Sequence, residues 1–328
     1  MRVVHEVSDL PSALTGASLA LGNFDGVHRG HQAVLAAAMA VAAESNTAAG
    51  AMVFEPHPRQ FFQPQVPLFR LTSEETKLEL FAALGLDFTV VMRFDAALAR
   101  TRAGAFVEEY LVRRLAISHA VAGFDFQFGK DREGTPAFLS RAGKEHGFGV
   151  TVVDRVSGAE GPVSSSAIRR HLEAGEVEQA ARSLGYRWFV RGEVISGDKR
   201  GRDLGFPTAN LALPATTRLR YGIYAVRARR GAGDKARAYD AVASFGVRPT
   251  FGGGRPLLEV FFFDFSDDLY GETIEVEFVG FIRPEENFDS VDALVARMNE
   301  DAAAARDLLA AAPAQDSRLD TALGFAGG

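Results

Sequence analysis

The chain has 328 residues, which is long for one hydrophobic core and sufficient for two domains. It contains no cysteine, so the sequence excludes a disulfide framework, a thiolate zinc site and a cysteine nucleophile. The formal net charge of −6 argues against broad, non-specific binding to nucleic acid, which depends on an extended basic surface.

The amino terminus has no basic head followed by an apolar run, and we therefore expect no signal peptide. The most apolar window, residues 33–43, is rich in alanine and too short to span a bilayer. The absence of cysteine is typical of a reducing compartment. We expect a cytoplasmic protein with neither nucleic-acid nor membrane partners, and the sequence leaves the oligomeric state open.

Short β-rich runs alternate with helical stretches through residues 17–153. The predicted strands cover residues 17–22, 50–54, 88–92, 120–123 and 150–153, and the predicted helices cover 31–45, 73–84 and 103–115. Strands separated by helices predict βαβ units and a parallel sheet with helices on both faces. Two short helices should follow, one capped by Ser164 and the other ending at Gly185.

The rhythm of the sequence changes after Gly185. Glycine and polar turns separate six strand-like runs, at residues 187–195, 207–213, 222–229, 239–245, 257–265 and 272–282. Six strands without intervening helices predict a small antiparallel barrel. A closing helix carries its apolar side chains at helical spacing, at Val291, Leu294, Val295, Met298, Ala302, Ala305 and Leu309.

These patterns predict an α/β architecture with two domains. A Rossmann-like domain with a parallel sheet should occupy residues 1–184. A six-stranded antiparallel β-barrel with a C-terminal helix should occupy residues 187–312. Residues 313–328 have little to bury and are predicted to form a flexible tail.

The segment GNFDGVHRGH, residues 22–31, lies where the first strand ends and the first helix begins. Ligands of open parallel sheets bind at the carboxyl ends of strands, beside helix N-termini whose free N–H groups suit a phosphate. His28 and His31 are three residues apart at that terminus, so both could point at one phosphate chain. Taken alone, such a pair is more often a chance pairing in a surface loop, and a metal pair is also conceivable.

Other loops of the first domain carry hydroxyl, guanidinium or aromatic groups. Residues 163–169, VSSSAIR, place a serine-rich cap before a helix and an arginine on its next turn. These groups could grip a triphosphate, although a capped helix with a solvated arginine would look the same. Residues 54–62 and 123–129 are rich in phenylalanine, and core packing is the simplest interpretation for most of these rings.

The second domain opens with a glycine- and base-rich loop, residues 192–202, which could wrap phosphates but lacks the Walker order. Thr208 and Asn210 are two apart in an extended segment, so their side chains share one face and could both reach Mg²⁺. A solvated basic turn before a strand is the alternative that local composition favours. Glu259 stands in an apolar run and either faces solvent or acts as a base in the barrel.

Taken together, the ordered motifs resemble those of the bacterial bifunctional riboflavin kinase/FAD synthetase (FMN adenylyltransferase) family. Residues 22–31 are similar to the HxGH signature of its nucleotidyltransferase module, and residues 163–169 to its ISSTxxR motif. Its riboflavin kinase module is similar to the segments 197–211, 244–251, 258–265, 268–271 and 283–290. The resemblance covers nearly all of residues 15–310.

This resemblance implies two ATP-dependent reactions. The domain at 1–184 would adenylylate FMN to FAD and release pyrophosphate, and the barrel at 187–312 would phosphorylate riboflavin to FMN. Mg²⁺ would be the cofactor, with ATP, riboflavin and FMN as the small-molecule partners.

The resemblance also implies roles for individual residues. His28, His31 and Arg169 would stabilise the transition state of adenylylation, and Glu259 would be the general base of the kinase. The implied nucleotide-binding residues are Gly22, Phe24, Asp25, Gly26, Gly30, Asp125, Ser164, Ser165, Ser166, Gly197, Lys199 and Gly201. The implied flavin contacts are Phe54, His57, Pro58, Phe62 and Phe128, and the metal ligands are Thr208 and Asn210.

The sequence departs from the family pattern at a few of these positions. Ser166 and Ala167 replace a threonine and a commonly basic residue, Phe261 stands where histidine is common, and Asp125 stands where some members have asparagine. Three alternatives stay open from sequence alone. They are an adenylyltransferase whose barrel has no activity, a flavin or nucleotide sensor without turnover, and an RNA-binding module.

Overall fold

The structure is a computed structural model that describes residues 1–5, 7, 11–158, 161–196, 206–231, 237–247, 256–265 and 267–312. The chain forms two compact units, and the division falls between Ser165 and Ser166. The predicted nucleotide-binding residues Gly197, Lys199 and Gly201 lie outside the described residues, as does the predicted tail.

A six-stranded sheet organises the first unit, and all of its strand pairs are parallel. Its strands are β1 (Arg2–Val4), β2 (Ser18–Leu21), β3 (Ala49–Glu55), β4 (Phe88–Arg93), β5 (His119–Gly123) and β6 (Gly149–Val153). They lie in the order β1-β4-β3-β2-β5-β6. The predicted parallel sheet is confirmed, and the short strand β1, which was not predicted, adds a sixth member by pairing with β4.

Helices connect the strands of this sheet. They are α1 (Arg29–Ser45), α2 (Pro58–Phe62), α3 (Glu74–Ala83), α4 (Ala96–Arg100), α5 (Ala103–Phe106) and α6 (Pro136–His146). Ser73 caps α3 as predicted, because its Oγ accepts from the backbone N of Thr76 at 3.0 Å. The helix predicted at 103–115 begins as α5 and continues as a π-helix over Val107–Arg114. A small hairpin of β7 (Ser157–Gly158) and β8 (Gly161–Pro162) follows the sheet.

The second unit is a closed barrel, with strands in the order β10-β13-β12-β11-β14-β9 and every pair antiparallel. Its elements are α7 (Ser165–Ala174), α8 (Val177–Leu184), β9 (Phe189–Ile195), β10 (Thr208–Ala212), β11 (Gly222–Arg230), β12 (Arg237–Val247), β13 (Pro256–Phe262), β14 (Thr273–Arg283) and α9 (Val291–Ala311). All six predicted barrel strands and the closing helix are confirmed. Only the first residue of α7 belongs to the first unit.

Alternate side chains of each barrel strand point to opposite sides of its wall. Leu211, Leu258 and Phe245 are cross-strand neighbours that fill the interior and are completely buried. The other face packs against α9, where Val242 and Phe261 of the barrel meet Leu309 of the helix. The interior is therefore a packed core, and α9 covers part of the outer wall.

Two buried arginines attach α9 to the barrel. The guanidinium of Arg283 donates to both carboxylate oxygens of Asp301, at 2.8 and 2.7 Å. Arg227 donates to the carbonyl oxygens of Leu309 and Ala312, at 2.8 and 2.7 Å, which satisfies free carbonyls at the helix C-terminus. Among the described helices, none has the length and apolarity needed to cross a membrane.

Candidate active sites

The loop of residues 22–28 follows β2, the strand at which the strand order of the sheet reverses. Strand β3 lies on one side of β2 and β5 lies on the other, so the chain leaves β2 toward opposite halves of the sheet. Parallel sheets bind ligands in the crevice at the carboxyl ends of strands at such a switch point. The predicted position of the histidine motif at a strand-to-helix junction is therefore confirmed.

This loop is held in an unusual backbone conformation. Phe24, Gly26 and Val27 all have positive φ angles, of 51°, 85° and 38°. Such a conformation is rare for a β-branched residue and persists only where surrounding contacts impose it. Phe24, predicted to bind nucleotide, has a fully buried ring, which leaves its backbone as the part that could reach a ligand.

Asp25 supplies the contacts that hold the loop. Its carboxylate accepts from the backbone N–H groups of Leu71 and Thr72, at 3.0 and 3.2 Å. The backbone N–H of Gly26 donates to Oγ1 of Thr72 at 3.1 Å. Asp25 was predicted to contact nucleotide, and the structure gives its buried carboxylate the task of fastening the loop to the segment before α3.

We expect Asp25→Ala to lower the free energy of unfolding of the first unit by about 2–4 kcal/mol, because two buried N–H groups lose their acceptor. Hydrogen exchange at peptides covering α1 and α3 would measure the loss. Trp188 is the single tryptophan and is buried in the barrel. Unfolding of the second unit, followed by the fluorescence of Trp188, should be the same as in the parent. Asp131→Ala is the control, since that carboxylate is exposed. Equal protection in the two variants would contradict the fastening role.

The two histidines of the motif form a stacked pair at the start of α1. His28 is the N-cap, and its Nδ1 accepts from the backbone N–H of His31 at 3.2 Å. A neutral His28 therefore carries its proton on Nε2, where it can donate to a ligand. The ring centroids of His28 and His31 are 3.5 Å apart and the planes are inclined by 14°. A Cβ at Gly30 would lie only 3.2 Å from Cε1 of His28, so glycine makes room for this ring.

His31 is held as a neutral imidazole. Burial lowers its pKa well below the usual value, and the charges of His28 and Lys77 lower it further. Its Nδ1 is buried and has no hydrogen-bond partner among the described residues. The pair thus combines a neutral His31 ring stacked on His28, a helix N-terminus and a ring nitrogen without a partner in the described structure. This arrangement can donate hydrogen bonds to a phosphate.

An ionic cluster that sequence reasoning missed lies beside the histidine loop. Glu55, at the end of β3, accepts from both terminal nitrogens of Arg70, at 2.8 and 2.6 Å. The same carboxylate accepts from Nζ of Lys77 at 2.9 Å. Burial alone would raise the pKa of Glu55, but the hydrogen bond from Arg70 and the two positive charges lower it, so the carboxylate is ionised. Glu55 belongs to the phenylalanine-rich segment 54–62, but no sequence signal paired it with Arg70 or Lys77.

The serine-rich helix start is divided between the two units. Oγ of Ser165 donates to the carbonyl oxygen of Asp25 at 2.9 Å, so the part of VSSSAIR that belongs to the first unit is fastened to the histidine loop. Ser164 is half-buried and Ser166 is exposed. Arg169 is half-buried on the part of α7 that belongs to the second unit. Its role stays a prediction.

Among the predicted ligand contacts of the first unit, accessibility differs widely. The ring of Phe62, at the end of α2, is 62% exposed and packs edge-on against Phe61 and Phe94. Asp125 is exposed in the loop after β5. In contrast, Phe54 and Phe128 are buried in the hydrophobic core. Of the predicted flavin contacts Phe54, Phe62 and Phe128, Phe62 therefore has the most accessible ring in this structure.

The two remaining flavin predictions, His57 and Pro58, begin α2. His57 is its N-cap and accepts from the backbone N–H of Arg59 at 3.1 Å, and Pro58 occupies the first helical position. Proline suits that position because its missing N–H would have no helical partner. Both residues position the helix that presents Phe62.

In the second unit, three polar side chains lie in one row across the barrel. Asn210 on β10 is directly opposite Glu259 on β13, and Glu259 is directly opposite Ser244 on β12. Directly opposed residues of antiparallel strands point to the same face. Thr208 lies two residues before Asn210 and shares that face. The predicted kinase residues Thr208, Asn210 and Glu259 are thus brought together, and Ser244 joins them.

The row lies on the outer wall of the barrel. Phe261 and Val242, two residues along the same strands, share this face and pack against α9. The sequence left open whether Glu259 faces solvent or acts as a base in the barrel, and the structure places it on the wall, because large apolar side chains fill the interior. Glu259 is half-buried at the wall, so chemistry at this residue must take place on the outer surface.

A second carboxylate that sequence reasoning missed lies near this row. The side chain of Glu285 lies directly over Gly246, which is two residues after Ser244 on β12, and any Cβ at Gly246 would collide with its carboxylate. Both positions belong to segments already matched to the kinase module, 244–251 and 283–290. The motifs therefore contained the signal, but only the fold places Glu285 over this wall.

The outer row offers oxygen ligands suited to a hard cation. Nδ2 of Asn210 donates to the carbonyl oxygen of Thr208 at 3.4 Å, which leaves Oδ1 outside that bond. A hydroxyl, an amide oxygen and the carboxylate opposite are the donor types that Mg²⁺ prefers. No group of three His, Asp or Glu side chains in the described part of the chain could hold a metal by itself. The residues therefore fit a magnesium ion held jointly with substrate phosphates.

The two folds, each with side chains suited to binding phosphate, define a transferase with two modules that uses ATP. The family described as FAD synthetase matches residues 10–167, and the family described as riboflavin kinase matches residues 184–309. The bifunctional riboflavin kinase/FMN adenylyltransferase of Escherichia coli strain K12 is 37% identical over 307 residues, 94% of this chain and 96% of that protein. The chain belongs to the bifunctional riboflavin kinase/FMN adenylyltransferase family.

Other comparisons agree in extent. The protein of the same description from Listeria monocytogenes is 39% identical over 288 residues, 86% of this chain and 89% of that protein. A crystal structure described as a macrolide-efflux protein from Streptococcus pneumoniae matches with a TM-score of 0.83 at 30% identity. It covers 93% of this chain and 98% of that chain. Both units are therefore shared with known proteins over nearly their full length.

Proposed function

We propose that the histidine loop of the first unit transfers the adenylyl group of ATP to FMN. A phosphate oxygen of FMN forms the new bond to the α-phosphorus of ATP, and the bond to the departing pyrophosphate breaks. The stacked pair of His28 and His31 carries this assignment, because neutral rings at a helix N-terminus can donate N–H groups to phosphate oxygens.

The other predicted residues of this reaction have supporting roles. Asp25 holds the loop in place, and Arg169 is proposed to offset phosphate charge. The exposed ring of Phe62 would stack on the flavin. The reaction needs alignment and charge stabilisation, with no covalent enzyme intermediate.

We further propose that Glu259 is the general base of riboflavin phosphorylation on the outer wall of the barrel. Its carboxylate would take the proton from the 5′-hydroxyl of riboflavin while that oxygen attacks the γ-phosphorus of ATP in line. The row of Asn210, Glu259 and Ser244 supports this assignment, since it places a carboxylate among groups that can orient a hydroxyl and a phosphate.

Thr208 and Asn210 are the residues proposed to hold Mg²⁺. When bound, the ion neutralises charge on the phosphates of ATP. We also place the enzyme in the cytoplasm, with riboflavin, FMN and ATP as its small-molecule partners. The absence of cysteine and the acidic net charge support this placement.

Incubation of the purified protein with riboflavin, ATP and Mg²⁺ tests both proposals together. Chromatography should show FMN first and FAD later, and chelation of Mg²⁺ should stop both products. Accumulation of FMN alone, or formation of FAD only from supplied FMN, would show that one unit has no activity.

A further arm of this experiment tests whether Asn210 is a ligand of Mg²⁺. Asn210→Ala should raise the Mg²⁺ concentration that gives the half-maximal kinase rate, while Asn299→Ala should leave it unchanged. Asn299 is a suitable control because it is exposed on α9. An unchanged magnesium dependence in Asn210→Ala would remove this residue from the proposed metal site.

A further inference from the structure

Lys77 is a buried lysine in the first unit, and neither of the two proposed reactions assigns it a role. It lies on α3, and its side chain is only 1% exposed. Lysine is almost never fully buried unless its charge is paired or used, because removing an ammonium from water is costly. An explanation for its burial therefore has to come from its surroundings.

Lys77 is surrounded by charges of both signs. Its Nζ makes one hydrogen bond within the described part of the chain, to Glu55 at 2.9 Å. Glu55 also binds Arg70 through both carboxylate oxygens, and the Asp25 carboxylate attracts both Lys77 and Arg70. Burial lowers the pKa of Lys77, and the attraction of Glu55 opposes that effect. The positive charge of Lys77 also acts on His31 and lowers the pKa of that ring.

A continuous line of packed rings connects this face of α3 with the catalytic loop. Phe81 lies one helical turn after Lys77 and on the same buried face. The ring of Phe24 packs edge-on against Phe81 at 5.5 Å and against His31 at 5.3 Å, measured between centroids. The histidine loop therefore rests on the face of α3 that carries Lys77.

We propose that Lys77 is a positioning residue for FMN adenylylation that acts through His31, keeping this ring neutral so that the histidine stack stays intact. The proposal rests on the role proposed above for the histidine pair. Glu55 serves to keep Lys77 charged, and Arg70 completes the cluster.

A neutral stack matters for two geometric reasons. Two imidazolium rings 3.5 Å apart would repel each other strongly. A proton on Nδ1 of His28 would also remove the acceptor for the backbone N–H of His31, and the N-cap bond would be lost. A positive charge fixed beside His31 opposes protonation of that ring and so protects the stack.

The charged groups around His31 come from each element packed near it. His28 stacks on His31, and Lys77 of α3 acts on His31 through its charge. Glu55 binds both Lys77 and Arg70, and Asp25 attracts the same two cations. Of these groups, His28 and Lys77 contribute to the lowered pKa of His31, after burial. Removal of Lys77 should therefore raise the pKa of His31 and increase its protonated fraction at acidic pH.

The test compares Lys77→Met with Lys77→Arg, which keeps the charge. Lys144→Met is the control, the same replacement at an exposed lysine of α6. NMR titration of the histidine rings gives the pKa of His31 directly, and kcat for FMN adenylylation is measured against pH at saturating substrates. Lys77→Met should raise the pKa of His31 and move the acidic limb of kcat to higher pH. A rise of about one pH unit lowers kcat about tenfold on the acidic side.

The same measurement separates this role from a purely structural one. In Lys77→Met, kcat should return toward the parental rate above pH 8, with KM nearly unchanged, and Lys77→Arg should keep the parental profile. An equal loss of kcat at all pH values, or an unchanged pKa of His31, would overturn the proposal. In Lys77→Met the Glu55 carboxylate keeps both hydrogen bonds to Arg70, so this variant creates no unpaired buried carboxylate.

Failure of the underlying function is distinguishable from failure of this inference. If His31→Ala adenylylates FMN at the parental rate, the role of the histidine pair itself is wrong. If His31→Ala is inactive and Lys77→Met keeps the parental pH profile, only the role of Lys77 is wrong. Riboflavin phosphorylation by the same samples reports that the barrel is intact in every variant.

Discussion

Glu259→Gln should phosphorylate riboflavin about a hundredfold more slowly or worse, while it adenylylates supplied FMN at the parental rate. Loss of a positioned general base typically lowers the rate by about a factor of 100 to 10,000, because the attacking hydroxyl must lose its proton without help. Glutamine keeps the shape and the hydrogen-bonding oxygen but cannot take the proton. Initial rates of FMN formation from riboflavin, and of FAD formation from FMN, give the two numbers.

The matched control is Glu193→Gln, an exposed glutamate on β9 of the same barrel. It should keep both activities. If the rate of riboflavin phosphorylation falls no further in Glu259→Gln than in the control, Glu259 is not the general base. Preserved binding of Mg²⁺-ATP in Glu259→Gln would separate loss of the base from loss of the nucleotide site.

His31→Ala should abolish FAD formation from FMN and ATP and leave riboflavin phosphorylation intact. Removal of one hydrogen-bond donor to the charge that develops in a transition state costs about a factor of 100 to 1,000 in kcat. This variant removes the stacked partner of His28 as well, so we expect the upper end of that range. Chromatographic detection of FAD with FMN as the supplied substrate measures the loss.

His146→Ala provides the comparison for His31→Ala, because this histidine is exposed at the end of α6. His31 is buried, and hydrogen exchange of α1 must therefore show that the first unit of His31→Ala remains folded. FAD synthesis at the parental rate in a folded His31→Ala protein would refute the role of the histidine pair.

Glu259→Gln and His31→Ala are expected to impair different reactions of the same chain. Each variant should lose one reaction and keep the other, so that each serves as the integrity control for its counterpart. A substitution that removed both reactions would indicate that the two units depend on each other for activity.

Local patterns were sufficient to predict most of the architecture. Hydrophobic runs broken by helical stretches identified five strands of the parallel sheet, and regular polar turns identified all six strands of the barrel. The face of α9 was also readable from helical spacing, since Ala302, Ala305 and Leu309 pack on the barrel as predicted. The length of this apolar face could not be predicted from the spacing, because Val291 follows the same spacing but is 59% exposed.

The site chemistry was only partly contained in local patterns. The junction of β2 and α1 could be recognised from GNFDGVHRGH, because a strand end followed by a helix start is a local feature. In contrast, Asp25 binds Thr72 across 47 residues, Glu55 binds Lys77 across 22, and Ser165 binds Asp25 across 140. Alternation along β13 showed that Glu259 and its neighbours face opposite sides, but barrel closure decided which side is outside. Pairing and burial depend on residues far apart in the chain, so these features emerge only when the sheet and the barrel have formed.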